Sequence, residues 1–393
     1  METPRSPLRD FLARESSSGI LLACAAIVGM ILANSPLSNS YFSTLGRGFV
    51  ISWGFFTLKL TVLKFINYGL MTIFFFVVGL EIKRELVSGH LASIKKAAMP
   101  FLAALGGMLA PALIYLAISG GTAPSGWAVP VATDIALAVG LISAMGARAS
   151  LALKTFLLAI AVIDDIGAIL IIAFVYSEGI GYRWLGGAAI TIALCLLARM
   201  RNIENLALYI LFGLALWYCL YRSGVHPTLA GVILGLLTPA KNRRFKSGND
   251  SSTWIEWLEK KIHPWSSLLV VPLFALANAG VSLSPSSMRS AVESPVAWGI
   301  FFGLLIGKPL GIVVFSLLGS KTKVAELPEG NRPATLFATG SAAGIGFTVA
   351  IFLARLAFSD ANLQEIAITA VVAGSLASAL ISVILFRFQS AKK

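Results

Sequence analysis

The sequence carries little charge for its length. Of its 393 residues, 12% are Asp, Glu, Lys or Arg and 57% are hydrophobic, with a mean hydropathy of +0.84. A soluble domain has about 25% charged residues, so this composition excludes the soluble globular class. The net charge of +13 is dispersed between apolar runs and forms no basic stripe, which excludes a nucleic-acid partner. The basic residues instead flank apolar runs, as in membrane proteins.

Cysteine is also scarce. Cys24, Cys195 and Cys219 each lie in an apolar run and none has a CxxC spacing, so neither a disulfide framework nor a zinc site is indicated. We interpret them as small apolar core residues. The apolar run that begins at Ile20 has no small-residue cleavage pattern after it, so we expect it to be the first membrane span.

Apolar runs long enough to cross a bilayer dominate the chain. A bilayer-crossing helix needs about 20 mainly apolar residues. Twelve candidates are present, at 18–35, 64–82, 97–119, 126–145, 151–176, 184–198, 205–221, 224–240, 264–284, 295–319, 334–357 and 366–386. The sequence therefore predicts an all-α polytopic membrane protein of twelve transmembrane helices, with residues 1–393 forming a single integral membrane domain.

The distribution of basic residues predicts the orientation. Most of the 31 Lys and Arg residues fall on the side of the N-terminus, so both termini are predicted to be cytoplasmic. The stretch 241–263 is then a basic cytoplasmic loop, and 36–63 is an external loop. Within it, Phe49 to Leu60, with Trp53-Gly54 as the turn, predicts either a short β-hairpin or an irregular loop.

Four ionisable residues lie deep in predicted spans: Asp134, Asp164, Asp165 and Lys308. Each is near the middle of its span, which places all four within a few Å of one plane. Each charge costs about 2.5–3.5 kcal/mol at a helix centre, so they indicate a shared polar site. The alternative is an ion-pair cluster that only holds helices together. Three acids against one base favour a site that also takes a cation or a proton.

The ligand types indicate which cation. Adjacent residues on a helix point about 100° apart, so one of Asp164 and Asp165 can pair with Lys308 while the other faces a water-filled cavity. The two carboxylates are expected to titrate as a coupled pair. Asp165, Asp164 and Thr133 offer only oxygen atoms, which suit hard cations. We therefore expect Na⁺ or Li⁺ rather than Ca²⁺, which usually takes 6–8 oxygens, and no cofactor.

Two spans are predicted to be interrupted. Pro130 lies at mid-membrane in one, and Gly340, Gly344 and Gly346 lie at a similar depth in the other. A glycine-rich packing face is the alternative for the second. A pair of interrupted segments is typical of the binding site of an inverted-repeat transporter. Asp134 and Lys308 have the right signs to neutralise the exposed helix ends.

Several motifs give the chain a close resemblance to a known family. They are FVVGLEIKREL (76–86), ATDIA (132–136), IDDIGAI (163–169), SGVHPTLAG (223–231), HPW (263–265), PLFALANAGV (272–281), GLLIGKPLG (303–311) and GIGFT (344–348). Together they resemble the NhaA family of bacterial Na⁺/H⁺ antiporters along nearly the whole chain. That family is itself one of the examples behind the rule on inverted repeats.

The resemblance implies a fold and a mechanism. It implies twelve helices with inverted repeats, two of them interrupted and crossing, in a homodimer of the bacterial inner membrane. The activity would be electrogenic and pH-regulated extrusion of Na⁺ or Li⁺ in exchange for protons. Asp165 and Asp164 would bind Na⁺, Asp164 and Lys308 would form the proton-linked ion pair, and Thr133 and Asp134 would lie at the crossing.

The resemblance also implies a group of residues that respond to pH. These residues are Glu81, Arg84, Glu85, Glu259, His226 and His263. Ordinary interface charge is the alternative interpretation for them. Two positions depart from the family pattern, because Tyr68 stands where well-studied relatives carry an aspartate and Lys260 where they carry a histidine.

Three other function classes can be weighed against an antiporter. Lys308 and the interrupted helices argue against a cation channel. An intramembrane aspartyl protease would need a Gly-x-Gly-Asp motif, but Gly346 is followed by Phe347. The apolar spans offer an organic ligand no obvious contact, which argues against a Na⁺-coupled symporter. We therefore expect a transporter and not an enzyme.

Overall fold

The computed structural model describes residues 15–53, 56–177, 179, 181–201, 203, 205–239, 253–327 and 332–388. Within these residues, eight helices are long and apolar enough to cross a membrane, and ten if each of two bent helix pairs is one span. The chain is therefore a mainly helical, multi-pass membrane protein. The N-terminal basic residues Arg5, Arg9 and Arg14 and the loop residues 240–252 lie outside the described part.

The described elements follow one another along the chain as fifteen helices, a hairpin and three short 3₁₀ helices. The α-helices are α1 (Glu15–Ala33), α2 (Ser38–Gly46), α3 (Val62–Val87), α4 (Ile94–Ser119), α5 (Ile135–Ala144), α6 (Leu151–Phe174), α7 (Tyr182–Met200), α8 (Leu206–Ser223), α9 (Leu229–Leu237), α10 (254–278), α11 (Pro285–Glu293), α12 (Pro295–Lys321), α13 (Pro333–Ala343), α14 (Phe347–Ala357) and α15 (Ala361–Phe388). The strands are β1 (Gly48–Trp53) and β2 (Phe56–Thr61), and the 3₁₀ helices are His90–Ala92, Pro124–Val131 and Gly146–Arg148.

Each of the twelve predicted spans overlaps at least one of these helices, but five of them are not single long helices. The one predicted at 126–145 combines the 3₁₀ helix Pro124–Val131 with the short α5. The spans predicted at 18–35 and 334–357 belong to the two bent pairs, with bends of 109° and 55°. The span predicted at 224–240 contains only the short α9, and the one predicted at 264–284 contains the end of α10. Length and composition in the structure thus support eight to ten spans.

The stretch predicted as a basic cytoplasmic loop, 241–263, includes the start of a helix, because α10 begins at Trp254. Thr253 and Glu256 form a reciprocal capping box that satisfies free N–H groups at the start of this helix. Ile255 and Leu258 bury their side chains against Leu80 of α3. A stretch read as polar loop is therefore an amphipathic helix with one buried face.

The stretch 36–63, which is predicted to be external, contains an antiparallel hairpin. Gly48 pairs with Thr61 and Trp53 pairs with Phe56, on either side of residues 54 and 55. The turn predicted at Trp53-Gly54 falls partly on these two residues, which lie outside the described part. Leu58 and Leu60 of β2 are buried, whereas Val50 and Ile51 of β1 are exposed. The fold therefore includes one small sheet beside its helices.

Two of the helices contain a π turn that accommodates a proline. In α12 the Lys308 N–H donates to the carbonyl of Gly303, five residues back, and Pro309 follows. In α10 the Val271 N–H donates to Ser266 in the same way, and Pro272 follows. Proline has no N–H and its ring crowds the carbonyl four residues back, so the wider turn relieves both conflicts.

The chain divides into two compact units. The first comprises Met1–Phe42, Ser93–Ala168 and Ala275–Lys393, and the second comprises Ser43–Ala92 and Ile169–Phe274. In the first unit α12 packs tightly on α4, and in the second α9 packs on α3. All four deep ionisable residues belong to the first unit.

Candidate ion-binding site

Two unwound backbone segments meet in the first unit. The 3₁₀ helix Pro124–Val131 gives way to extended backbone before α5 begins, and three residues, 344–346, separate the end of α13 from the start of α14. The Asp134 N–H donates to the Ile345 carbonyl at 2.6 Å. A Cβ atom at Gly344 would lie 2.5 Å from the Leu304 carbonyl oxygen, so only glycine fits there. The predicted interruptions are thus real breaks in contact with each other.

Asp134 caps two helices at once. One carboxylate oxygen accepts the Leu137 N–H of α5 at 3.1 Å. The other accepts the N–H of Thr348 at 3.1 Å and its hydroxyl at 2.5 Å, at the start of α14. The side chain is 2% exposed. An anion at two helix N-termini satisfies free N–H groups and matches both helix dipoles, which explains why a carboxylate is tolerated at this depth.

Lys308 lies at the C-terminal end of a helical segment, whereas Asp134 lies at two helix N-termini. Its Nζ lies 2.8 Å from Oδ2 of Asp164 and also donates to the carbonyl of Val131, the last residue of the 3₁₀ helix. The side chain is 0% exposed. A cation at the carbonyl end of a helical segment is electrostatically favourable. Lys308 therefore neutralises both a buried carboxylate and a helix end.

Asp164 is only half satisfied. Its Oδ2 receives hydrogen bonds from Lys308 and from the Thr133 hydroxyl, the latter at 2.8 Å. Its Oδ1 is buried and has no hydrogen-bond partner. An unsatisfied buried oxygen of a charged group costs roughly 1–3 kcal/mol or more. This oxygen is the position in the site that a proton or a metal ion would satisfy.

Asp165 follows Asp164 directly on α6. It is 4% exposed, and its side chain leaves the helix about 100° away from that of Asp164. With Thr133, these carboxylates form a donor set of oxygens only. In the described part of the chain, no group of three or more His, Cys, Asp or Glu side chains could hold a metal ion. Oxygen donors are the type that hard cations prefer.

A close helix contact positions Lys308. A Cβ at Gly311 of α12 would lie 2.0 Å from the carbonyl oxygen of Gly106 on α4, and one at Gly106 would lie 2.2 Å from that of Gly311. Gly107 faces the Lys308 side chain, since a Cβ there would lie 4.0 Å from its Cε. Small residues let two helix backbones approach this closely in a membrane. Of these three glycines, only Gly311 belongs to one of the sequence motifs named above, GLLIGKPLG (303–311).

Serines of α15 support the break between α13 and α14, and sequence reasoning missed them. The Phe347 N–H at the start of α14 donates to Ser375 Oγ at 3.2 Å, and Ser382 Oγ donates to the Ala338 carbonyl of α13 at 2.9 Å. Thr348 was missed in the same way. The sequence signal was the spacing of Ser375, Ser378 and Ser382 on α15, because residues three and four apart share one face of a helix.

The residues predicted to respond to pH lie in the second unit. Arg84 pairs closely with Glu259 and lies 3.9 Å from Glu85, and His263 lies 3.9 Å from Glu81. Burial raises the pKa of Glu259 from its ordinary value, while Arg84 acts in the opposite direction. Five of the six predicted residues are therefore linked by ion-pair contacts.

His226 has different neighbours. Its Nδ1 lies 2.6 Å from Thr228 Oγ1, and its ring packs edge-on against Tyr68 at 4.9 Å. Tyr68 is one of the two positions that depart from the family pattern. The departure at Tyr68 therefore lies in contact with a predicted pH-response residue.

Comparisons with known proteins identify the family of the chain. The sequence model of the family described as Na⁺/H⁺ antiporter 1 matches residues 9–386. The Na⁺/H⁺ antiporter NhaA of Serratia proteamaculans is 46% identical over 357 residues, which cover 90% of each chain. The NhaA of Yersinia enterocolitica is 47% identical over 358 residues, covering 91% of this chain and 90% of the relative. NhaA 2 of Shewanella denitrificans is 44% identical over 379 residues, covering 95% and 94%. These matches over nearly the whole length show that the chain belongs to the NhaA family of Na⁺/H⁺ antiporters.

Proposed function

We propose that the protein is an electrogenic antiporter that extrudes Na⁺ or Li⁺ from the cytoplasm in exchange for protons. The observation that carries this proposal is the state of Asp164. One of its oxygens is bound by Lys308, the other is buried without a hydrogen-bond partner, and a second carboxylate follows it on the same helix. The names of the relatives, which are Na⁺/H⁺ antiporters, support the same activity.

The transported ion binds to oxygens alone. Asp165, Asp164 and Thr133 supply the ligands for Na⁺ or Li⁺, which is the substrate and not a resident cofactor. Two carboxylates can neutralise one monovalent cation and still leave a charge for Lys308. Their burial limits coordination by water and makes the site sensitive to the size of the ion.

Protons compete with the cation for the same carboxylates. Na⁺ binds when Asp164 and Asp165 are deprotonated, and protons displace it after the site has turned to the other side. Asp134 and Lys308 hold the helix ends in place during this cycle. If more protons than Na⁺ cross per cycle, the membrane potential contributes about 2.3 kcal/mol per charge per 100 mV.

The finer points of the fold belong to the same proposal. We place twelve spans with inverted repeats in a bacterial inner membrane, with the two interrupted segments crossing at the site and both termini in the cytoplasm. The excess of basic residues on that side supports the orientation. The exposed apolar residues Val50 and Ile51 of the hairpin support a homodimer that pairs through it.

The linked charges of the second unit form the proposed pH-response group. Glu81, Arg84, Glu85, Glu259 and His263 make the ion-pair contacts described above, and His226 lies against Tyr68. Partly buried acids and bases in contact have perturbed and coupled pKa values, which suits regulation by cytoplasmic pH.

Transport in everted membrane vesicles tests this function. The Asp165→Asn variant should lose Na⁺-induced dissipation of a pH gradient, because it lacks one of the two carboxylates that bind the ion. Asp360→Asn is the matched control, since asparagine can replace this exposed aspartate as the cap that accepts the Leu363 N–H. Undiminished exchange by Asp165→Asn contradicts the assignment, and Na⁺ flux without a proton gradient favours a channel.

A further inference from the structure

The Thr133 hydroxyl lies between two acceptors. It is 2.8 Å from Oδ2 of Asp164 and 2.9 Å from the carbonyl oxygen of Ala343. The residue is 0% exposed. A hydroxyl has a single hydrogen, so it makes one full hydrogen bond and must choose between these two partners.

The two acceptors belong to different parts of the protein's machinery. Asp164 is a carboxylate of the proposed ion site. Ala343 is the last residue of α13, where the helix breaks, and the final carbonyls of a helix have no partner within it. The carbonyls of Gly340, Ser341 and Ala342 already accept the N–H groups of Gly344 and Ile345. The Thr133 hydroxyl is the donor that the structure places on the next carbonyl, that of Ala343.

The preferred acceptor depends on whether a cation is present. Without one, an ionised carboxylate binds a hydroxyl about twice as strongly as a neutral carbonyl does, so the hydrogen points to Asp164. A cation held by Thr133 Oγ1 and by Asp164 lies on the same side of the hydroxyl as the carboxylate. It repels the partially positive hydrogen, which then turns to Ala343.

We infer that Thr133 acts as a hydroxyl switch: when the cation binds, its hydrogen bond moves from Asp164 Oδ2 to the Ala343 carbonyl. This inference rests on the proposed function, and it couples cation binding at the site to the hydrogen bonding of the break between α13 and α14. In the loaded state the end of α13 gains a hydrogen bond, beside the bond from Asp134 N–H to the Ile345 carbonyl. The segment 344–346 is then held more firmly than in the empty state.

Nuclear magnetic resonance can observe the Ala343 carbonyl directly. The sequence has four Ala-Gly pairs, at 230–231, 279–280, 343–344 and 373–374. Protein labelled with ¹³C-carbonyl alanine and ¹⁵N glycine therefore gives four correlated carbonyl signals, and Ala343→Ser assigns the signal of interest by removing it. A carbonyl carbon that gains a hydrogen bond shifts downfield. Addition of NaCl, but not of choline chloride, should shift this signal downfield.

Two variants separate the switch from a merely structural role. Thr133→Ser keeps the hydroxyl and should keep the Na⁺-dependent shift. Thr133→Val has nearly the same shape without the hydroxyl and should lose it, while the signals of the other three pairs report that the fold is intact. Calorimetry on wild type and on both variants measures Na⁺ binding independently, so that the carbonyl signals are compared at equal Na⁺ occupancy.

The outcomes distinguish this inference from the function on which it rests. If wild-type protein binds Na⁺ by calorimetry but its Ala343 signal does not move, the switch is wrong and the antiporter site stands. The switch is equally wrong if Thr133→Val shows the wild-type shift. If wild-type protein binds no Na⁺, the proposed function itself fails.

Discussion

Replacement of Gly311 by alanine tests how Lys308 is positioned. The added Cβ would lie 2.0 Å from the Gly106 carbonyl oxygen, which is 1.4 Å closer than the 3.4 Å at which ordinary contact begins. Backbone cannot yield as a flexible side chain does, so α12 must move away from α4 by about that distance. Overpacking of this kind typically costs about 1–3 kcal/mol of stability.

The displacement also reaches the ion pair. Lys308 lies three residues before Gly311 on α12, and its Nζ is 2.8 Å from Asp164. Moving α12 by 1.4 Å can lengthen this distance to about 4.2 Å, which exceeds the limit of about 4 Å for an ion pair. We therefore expect Gly311→Ala to lose most of its exchange activity as well as stability.

The assay combines unfolding of purified protein in detergent with Na⁺-induced dissipation of a pH gradient in everted vesicles. Gly140→Ala on α5 is the matched control, because a Cβ there has no atom within 4 Å. Alanine is up to about 1 kcal/mol better than glycine within a helix, so this control should be as stable as wild type or more so. If Gly311→Ala keeps wild-type stability and exchange, the close contact of α4 and α12 does not position Lys308.

Two further predictions concern single side chains. Thr348→Val should lower the unfolding free energy by about 1.5–3 kcal/mol, because Asp134 loses a hydrogen bond to its charged carboxylate. The control Thr322→Val, at an exposed helix end, should change the unfolding free energy by no more than about 0.5 kcal/mol. Equal losses of the two variants in a denaturant titration would contradict the double cap. Because burial raises the pKa of Glu259, its ionisation removes stability as pH rises above the ordinary value of 4.5, and Arg84 opposes this loss. Arg84→Gln should therefore raise the pKa of Glu259 further and steepen the fall in stability between acid and neutral pH. Thermal unfolding of both proteins at several pH values measures this. If the stability of the variant falls with pH in parallel with that of wild type, the prediction is wrong.

The deep charges could be found without a structure because membrane insertion is governed by local hydropathy. A bilayer-crossing helix is a continuous apolar run, so Asp134, Asp164, Asp165 and Lys308 stand out by their position within such runs alone. Proline and glycine likewise mark helix breaks by their own backbone chemistry. These properties belong to single residues and their immediate neighbours.

The limits of the sequence appear where partners are far apart in the chain. Thr348 and Ser375 are ordinary residues of apolar runs. Only the tertiary structure shows that Thr348 donates its hydroxyl hydrogen to Asp134 and that Ser375 accepts the Phe347 N–H. The sequence does not predict that α10 begins at Trp254, because the polar residues there are typical of a loop. The packing of Ile255 and Leu258 against Leu80 shows the helix. Tertiary contact decided each of these assignments.

The sequence by itself determined the membrane class, the family and which ionisable side chains lie deep in membrane-spanning segments. Those follow from composition and from motifs that are read along the chain. Only the tertiary structure decided that Lys308 pairs with Oδ2 of Asp164, that Oδ1 is left open, and that Thr133 reaches both Asp164 and Ala343. The physical reason is that a hydrogen bond acts over about 3 Å in space, while these partners lie 31 to 210 residues apart in the chain.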